Sequence, residues 1–438
     1  MQIIFVLIYI CVLCASLIIT KSMYQKYLLP NTVFTILWST IGILSIVVDI
    51  GLLVPSNRIH IYALLAICTF NITYFFCTKK KDLLSPIEKI DTVAYKINDK
   101  FVYLINIIAL GLISPNFIAS LKTILTVGLD LTYVRNQSYI LQRFDNPILI
   151  FLFRSVPMAL FATIMLITVY NIASGNKKFL YITLFNLVIV TLTFGGRSTL
   201  WDFMSYFIGA LITTSNLIKV RIKKRKYLVY AAVAMVIVTL LRGQDIMNVV
   251  KSAQMYFVGS FSYLELIIRN PLQFGLLQAP MYGYLTLGFI FEPLVLVIKL
   301  LTGANIDVPS YYFNIYAQGF VNIGETKSIL YNNNTTMLYT FLCDFGTVGV
   351  VIGTFFVAWL ICYLQKKAIK GDKLRSKLLL IFMYAVIFDS ARVYILSSTT
   401  PLIILLTLLF VVRKQRKTNA TRLYNRSRVV HNLKENKL

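Results

Sequence analysis

Residues 200–241 read LWDFMSYFIGALITTSNLIKVRIKKRKYLVYAAVAMVIVTLL. Two apolar runs, Leu200–Ile218 and Tyr227–Leu241, flank Lys219, Arg221, Lys223, Lys224, Arg225 and Lys226, with no acid among these cations. Apolar runs approaching 20 residues cross hydrocarbon as helices, and the loops left on the cytoplasmic side are the cationic ones. The stretch therefore predicts two membrane spans joined by an inner loop.

The same pattern extends in both directions. The chain has 438 residues, 58% of them hydrophobic, and a mean hydropathy of +0.74, which excludes a soluble domain. Its formal charge of +26 would suit nucleic acid, but the 43 Lys and Arg gather at the ends of apolar runs, so the charge signals topology. Nine further spans are predicted: Ile3–Thr20, Leu29–Val54, Ile61–Thr78, Phe101–Ala119, Pro147–Ala173, Phe179–Phe194, Met337–Leu364, Leu378–Leu396 and Pro401–Val412. The fourth is expected to break at Ser114-Pro115. The first lacks a basic leader and a cleavage site and reads as a retained span. The expected fold is an all-α polytopic membrane protein of about 11 (11–13) helices, with the N-terminus outside and the C-terminus inside.

This divides the chain into a membrane bundle (1–241), a cap loop (242–336), a second bundle (337–412) and a basic tail (413–438). Inside the cap, Met281–Leu301 is apolar but contains Glu292-Pro293. A single crossing there would place the Lys366–Lys377 block outside, so a re-entrant or interfacial helical hairpin is expected. A pair of crossings with Val250–Ile268 is the alternative. A helix from about Asn248 to Arg269 should stop at Asn270-Pro271. The six cysteines have no metal spacing and are expected to be buried thiols.

On the outer side and within spans, arginine predominates: Arg58, Arg135, Arg143, Arg154, Arg197, Arg242, Arg269 and Arg392. The guanidinium fork binds phosphate or carboxylate bidentately, which suggests an anionic ligand such as a lipid pyrophosphate. Snorkelling to headgroups is the plainer reading of Arg58 or Arg143 alone. Arg154 and Arg392 lie within spans, where charge is costly, and Asp389 stands three residues before Arg392, so that pair is either structural or functional. Gly195-Gly196 before Arg197 would let a ligand approach the backbone, or simply form a turn. Arg242 is followed by Gly243 in a similar position. Glu265 and Arg269 share a helical face, with Glu265 a carboxylate base or an orienter of Arg269, or the two a surface pair. Tyrosines in the cap suit stacking on sugar faces and asparagines bonding to sugar hydroxyls; an interfacial aromatic belt would explain the tyrosines but less well the asparagines. Phosphate-loop, serine-hydrolase and zinc motifs are absent, and no cofactor or metal is expected.

With these features the chain resembles the Wzy-type O-antigen and capsule polymerases. The resemblance covers most of its length: many spans, a long outer loop in the second half, Gly195-Gly196-Arg197-Ser198 at a span end, Tyr331-Asn332 followed by Thr335, and Asp344-Phe345-Gly346 with Gly349. The odd span count departs from a twelve-span relative, whose N-terminus would lie inside. The resemblance implies a metal-independent membrane glycosyltransferase of the bacterial inner membrane, acting at the periplasmic face on undecaprenyl-pyrophosphate-linked oligosaccharide. Its partners would be membrane lipid, a chain-length regulator and a flippase, and not nucleic acid. Arg197, Arg242 and Arg269, with Arg154 and Arg392, would hold the pyrophosphate. Glu265 would activate the acceptor hydroxyl, and Tyr331, Asn332 and Asp344 would contact glycan. An O-antigen ligase and a lipid-linked oligosaccharide flippase are the alternatives.

Overall fold

A computed structural model describes residues 2–48, 51–80, 94–140, 146–214, 222–241, 246–271, 280–312, 321–325, 328–331, 335–370 and 373–415. The described residues are mostly helical. In chain order come α1 (Gln2–Tyr24), α2 (Pro30–Val47), α3 (Asn57–Cys77), a short strand β1 (Ala94–Ile97), α4 (Asp99–Val127) and α5 (Leu131–Ile140). A π-helical turn, Phe151–Ser155, leads into α6 (Val156–Ala173), followed by α7 (Leu180–Phe194), α8 (Ser198–Thr214) and α9 (Ile222–Leu240). The cap contributes α10 (Ile246–Arg269), α11 (Gly288–Thr302), β2 (Val321–Asn322) and β3 (Leu330–Tyr331). The chain continues with α12 (Thr336–Lys370), α13 (Lys373–Asp389), α14 (Thr400–Val411) and β4 (Val412–Gln415).

Among the described residues, six helical stretches are long and apolar enough to cross a membrane: α1, α2, α3, α4, Ile148–Ala173 and α12. Shorter apolar helices occur at Leu180–Phe194, Lys226–Leu240 and Thr400–Val411. α3 packs along α12, α8 along α13, and α6 against α4, α8 and α14. Asn71 on α3 joins α1 and α2, accepting from Ser16 at 2.7 Å and donating to Thr35 at 2.8 Å. Such interhelical hydrogen bonds help to hold apolar helices together where apolar contact alone gives little preference for protein over lipid. The expectation of buried thiols holds for Cys343 and Cys362 but is corrected for Cys11, Cys14 and Cys68, which are exposed. They lie on faces of α1 and α3 that no other described helix covers.

Helix α4 does not break at Pro115. A proline has no N–H for the carbonyl four residues earlier, here that of Gly111, and the Ser114 hydroxyl donates to that carbonyl at 2.7 Å instead. Conversely, the expected single span Met337–Leu364 is interrupted. Phe345 (φ −142°, ψ 18°) and Gly346 (φ 61°, ψ −147°) leave helical geometry. A Cβ on Gly349 would strike the Phe341 carbonyl, and one on Gly353 the Phe341 ring. In a straight helix residues 341 and 353 would be about 18 Å apart. The leg Thr336–Asp344 therefore doubles back along the leg that follows.

The expected span to Leu396 ends at Asp389, because the Ser390 and Arg392 carbonyls accept from Met337 (2.7 Å) and Thr336 (3.0 Å) at the start of the short leg. Helix α10 ends at Arg269, as Asn270-Pro271 predicts. Met281–Leu301 is not a hairpin: 281–287 form a turn, and only α11 is helical. At about 22 Å it is shorter than the roughly 30 Å hydrocarbon core.

Contacts at the helix ends fall into two sets. At one end the Tyr24 hydroxyl donates to the Thr78 carbonyl (2.8 Å), Lys178 pairs with Asp99 (2.5 Å), and β1 pairs with β4. At the other, Leu53 N–H donates to the Ile323 carbonyl (2.7 Å), the Tyr62 and Thr347 hydroxyls meet at 3.1 Å, and the Ser120 hydroxyl reaches the Thr193 carbonyl (2.7 Å).

Candidate functional site

Three predicted arginines contact or belong to the segment from the end of α7 to the first turn of α8. Arg154, on the π-helical turn, lies 5.5 Å from the Phe194 ring centre. Arg197 begins the next helix and donates to the Thr239 hydroxyl at 2.6 Å. One turn further on, the Trp201 ring carries the Arg392 guanidinium 5.5 Å above its centre. Arg392 in turn donates from Nε (3.1 Å) and from Nη2 (2.6 Å) to Asp389 Oδ1, and the Trp201 indole N–H donates to that same oxygen at 2.9 Å. Asp389 is buried and Arg392 largely so.

Asp202 completes the group, in electrostatic contact with both Asp389 and Arg392. The neighbouring walls are aromatic: Phe257 meets Trp201 edge-on at 5.8 Å, and Tyr206 lies beside the two carboxylates. The supporting framework is hydrogen-bonded. Trp38 on α2 donates to the Ser390 hydroxyl (2.8 Å), and the Tyr394 hydroxyl donates to the Thr286 carbonyl (3.1 Å). The arginines along this segment offer donors to an anionic group and to developing negative charge, and the carboxylates beside them can accept a proton.

Sequence reasoning missed Asp202 and Trp201. Asp202 was nonetheless visible as an acid inside a predicted span, where ionisable side chains mark sites. Gly195 is also read differently by the structure. It has φ +57°, and a Cβ there would collide with the Leu131 carbonyl on α5. The glycine serves close packing of α5 on the end of α7.

The remaining predicted residues lie elsewhere. Glu265 is buried four residues before the end of α10, where Oε1 accepts from Arg269 Nε (2.7 Å) and Oε2 from the Ser56 amide (2.9 Å). Burial alone would raise the pKa of this cap carboxyl, but the Ser56 and Arg269 bonds outweigh it and hold the pKa below the ordinary glutamate value. Arg269 is half-exposed, and the pair ties α10 to the α2–α3 turn. About 12 Å of helix separates Glu265 from Phe257 at the arginine cluster.

Asp344, expected to contact glycan, is fully buried and accepts from the Leu285 amide (3.1 Å) and from the Thr286 amide (2.6 Å) and hydroxyl. It anchors the turn before α11 because a buried carboxylate needs several donors. Tyr331 is buried against Gly259 and meets Tyr263 edge-on at 5.8 Å. Arg242, Arg143 and Asn332 lie outside the described residues. Comparison with protein-family models, with curated proteins and with solved structures finds no match.

Proposed function

We propose that the chain is a membrane glycosyltransferase that polymerises lipid-linked oligosaccharide repeat units, of the O-antigen or capsule polymerase type that the sequence resembles. The observation that carries this is the Arg392 guanidinium over Trp201, paired with Asp389 beside Asp202, with Arg197 one turn before Trp201 and Arg154 against Phe194 at the end of α7. In this reading the arginines hold the pyrophosphate of the donor. The acceptor hydroxyl oxygen attacks the anomeric carbon, the bond from that carbon to the pyrophosphate oxygen breaks, and the departing pyrophosphate keeps the electron pair. The hydroxyl proton passes to a carboxylate. Asp202 takes this role in place of Glu265, whose two oxygens are bonded to Ser56 and Arg269. Trp201 offers a flat face for a sugar ring or for the guanidinium that it now carries.

Eleven spans, with the basic helix ends inward, fit this activity. The two sets of end contacts support that arrangement, since Tyr24, Thr78, Asp99 and Lys178 fall on the predicted inner side and Leu53, Ile323, Tyr62 and Thr347 on the outer. The site would then open beneath the cap.

The test is elongation of purified lipid-linked repeat units in vesicles containing the full chain. Wild type should build a ladder, and Arg392→Lys, which keeps the charge but not the fork, should shorten or abolish it. An undiminished ladder in a folded Arg392→Lys protein would overturn this site. A second reading, transport of the lipid-linked unit, is favoured by the interruption of α12 at Phe345-Gly346, because discontinuous helices recur at transporter sites. Translocation of the substrate without elongation by wild type would select it.

A further inference from the structure

Strands β1 and β4 form an antiparallel clasp between the segment entering α4 and the end of α14, in register Ala94 with Gln415, Tyr95 with Lys414, Lys96 with Arg413 and Ile97 with Val412. The clasp abuts both helices, since the Asn98 amide donates to the Val411 carbonyl at 2.8 Å. Alternation gives it two faces. Tyr95, Ile97 and Val412 pack toward the bundle, and Val412 is buried. Lys96 and Arg413 share the opposite face and are exposed. Directly opposed residues of an antiparallel pair hold their Cβ atoms about 5 Å apart, and like charges there are destabilising.

Nothing in the described residues relieves this repulsion. The nearest acid in sequence, Asp99, is paired with Lys178, and neither Lys96 nor Arg413 has a carboxylate partner among the described residues. Arg375 lies close by, donating to the Leu409 and Val412 carbonyls at 3.3 and 3.0 Å, and adds a third cation beside the strands. The position is where two apolar helices end, the level of lipid headgroups, and basic segments at that level attract anionic lipid.

We propose that the clasp is a binding site for an anionic phospholipid, whose headgroup phosphate lies between Lys96 and Arg413. The phosphate neutralises the cross-strand repulsion and fastens the end of α14 to the segment entering α4. Occupancy therefore stabilises the clasp, and the site works whether or not the protein is a polymerase.

The experiment is hydrogen exchange of the clasp amides in full-length protein. The protein is reconstituted either in phosphatidylcholine vesicles or in vesicles of phosphatidylcholine and phosphatidylglycerol in equal parts. Wild-type clasp amides should exchange roughly two- to fivefold more slowly in the anionic vesicles, while those of the α3–α12 interface are unchanged. Lys96→Glu replaces the like-charge pair by an opposite one and should protect the clasp equally in both lipids. If that variant fails to reconstitute, Lys96→Gln should reduce the lipid dependence. Equal exchange of wild type in the two lipids would overturn the proposal, as would full lipid dependence in Lys96→Glu. The same protection from inorganic phosphate added to phosphatidylcholine vesicles would overturn the assignment to lipid.

Discussion

Asp389 Oδ1 accepts from Arg392 and from Trp201, so one buried oxygen binds α8 to the segment after α13. Removing one partner of a buried pair leaves an uncompensated charge. Arg392→Ala should therefore lower stability by about 3 kcal/mol in detergent-solubilised protein, read from thermal unfolding. Asp202→Asn should leave the fold intact and depress turnover in the elongation assay, without a matching rise in KM. Glu265 gives a pH prediction. Its folded pKa lies below the unfolded value, so its contribution is present above the unfolded glutamate pKa and is lost as pH falls through the folded one. Melting temperature measured in acidic buffers should fall less steeply in Glu265→Gln than in wild type. The Asp389–Arg392 and Glu265–Arg269 pairs were legible from helical spacing alone. The contact of Trp201 with Arg392 was not, because it joins side chains far apart in sequence.

Two elements show how backbone chemistry decides whether a helix continues. Pro115 is tolerated because Ser114 supplies the missing donor; Ser114→Ala should destabilise α4 by about 1 kcal/mol, measured by thermal unfolding. At Asp344-Phe345-Gly346 the helix reverses, and Gly349 and Gly353 admit the returning leg. Gly353→Leu should force the legs apart and cost about 1–3 kcal/mol or more on the same measurement. Apolar periodicity could mark 337–364 as membrane-embedded, but both legs of the fold-back are apolar and indistinguishable from one span. Reversal depends on Gly346 at φ 61° and on Phe341 fitting against Gly349 and Gly353 in the returning leg.

For the whole molecule, the proposed topology predicts opposite labelling of the two helix-end sets. Cysteines introduced at Glu325 and at Lys96, in a background lacking the native thiols, should react with a membrane-impermeant maleimide from opposite sides of sealed vesicles. Labelling from the same side would exclude an eleven-span arrangement. The sequence by itself determined that this is a helical, membrane-type chain with basic residues at the ends of its apolar runs, because hydropathy and charge are local properties. Only the tertiary structure decided that Arg392 lies over Trp201, that Glu265 and Asp344 are anchors within the fold, and that α12 turns back on itself. Those outcomes depend on packing and on which buried donors reach which acceptors, and neither is specified until distant segments are in contact.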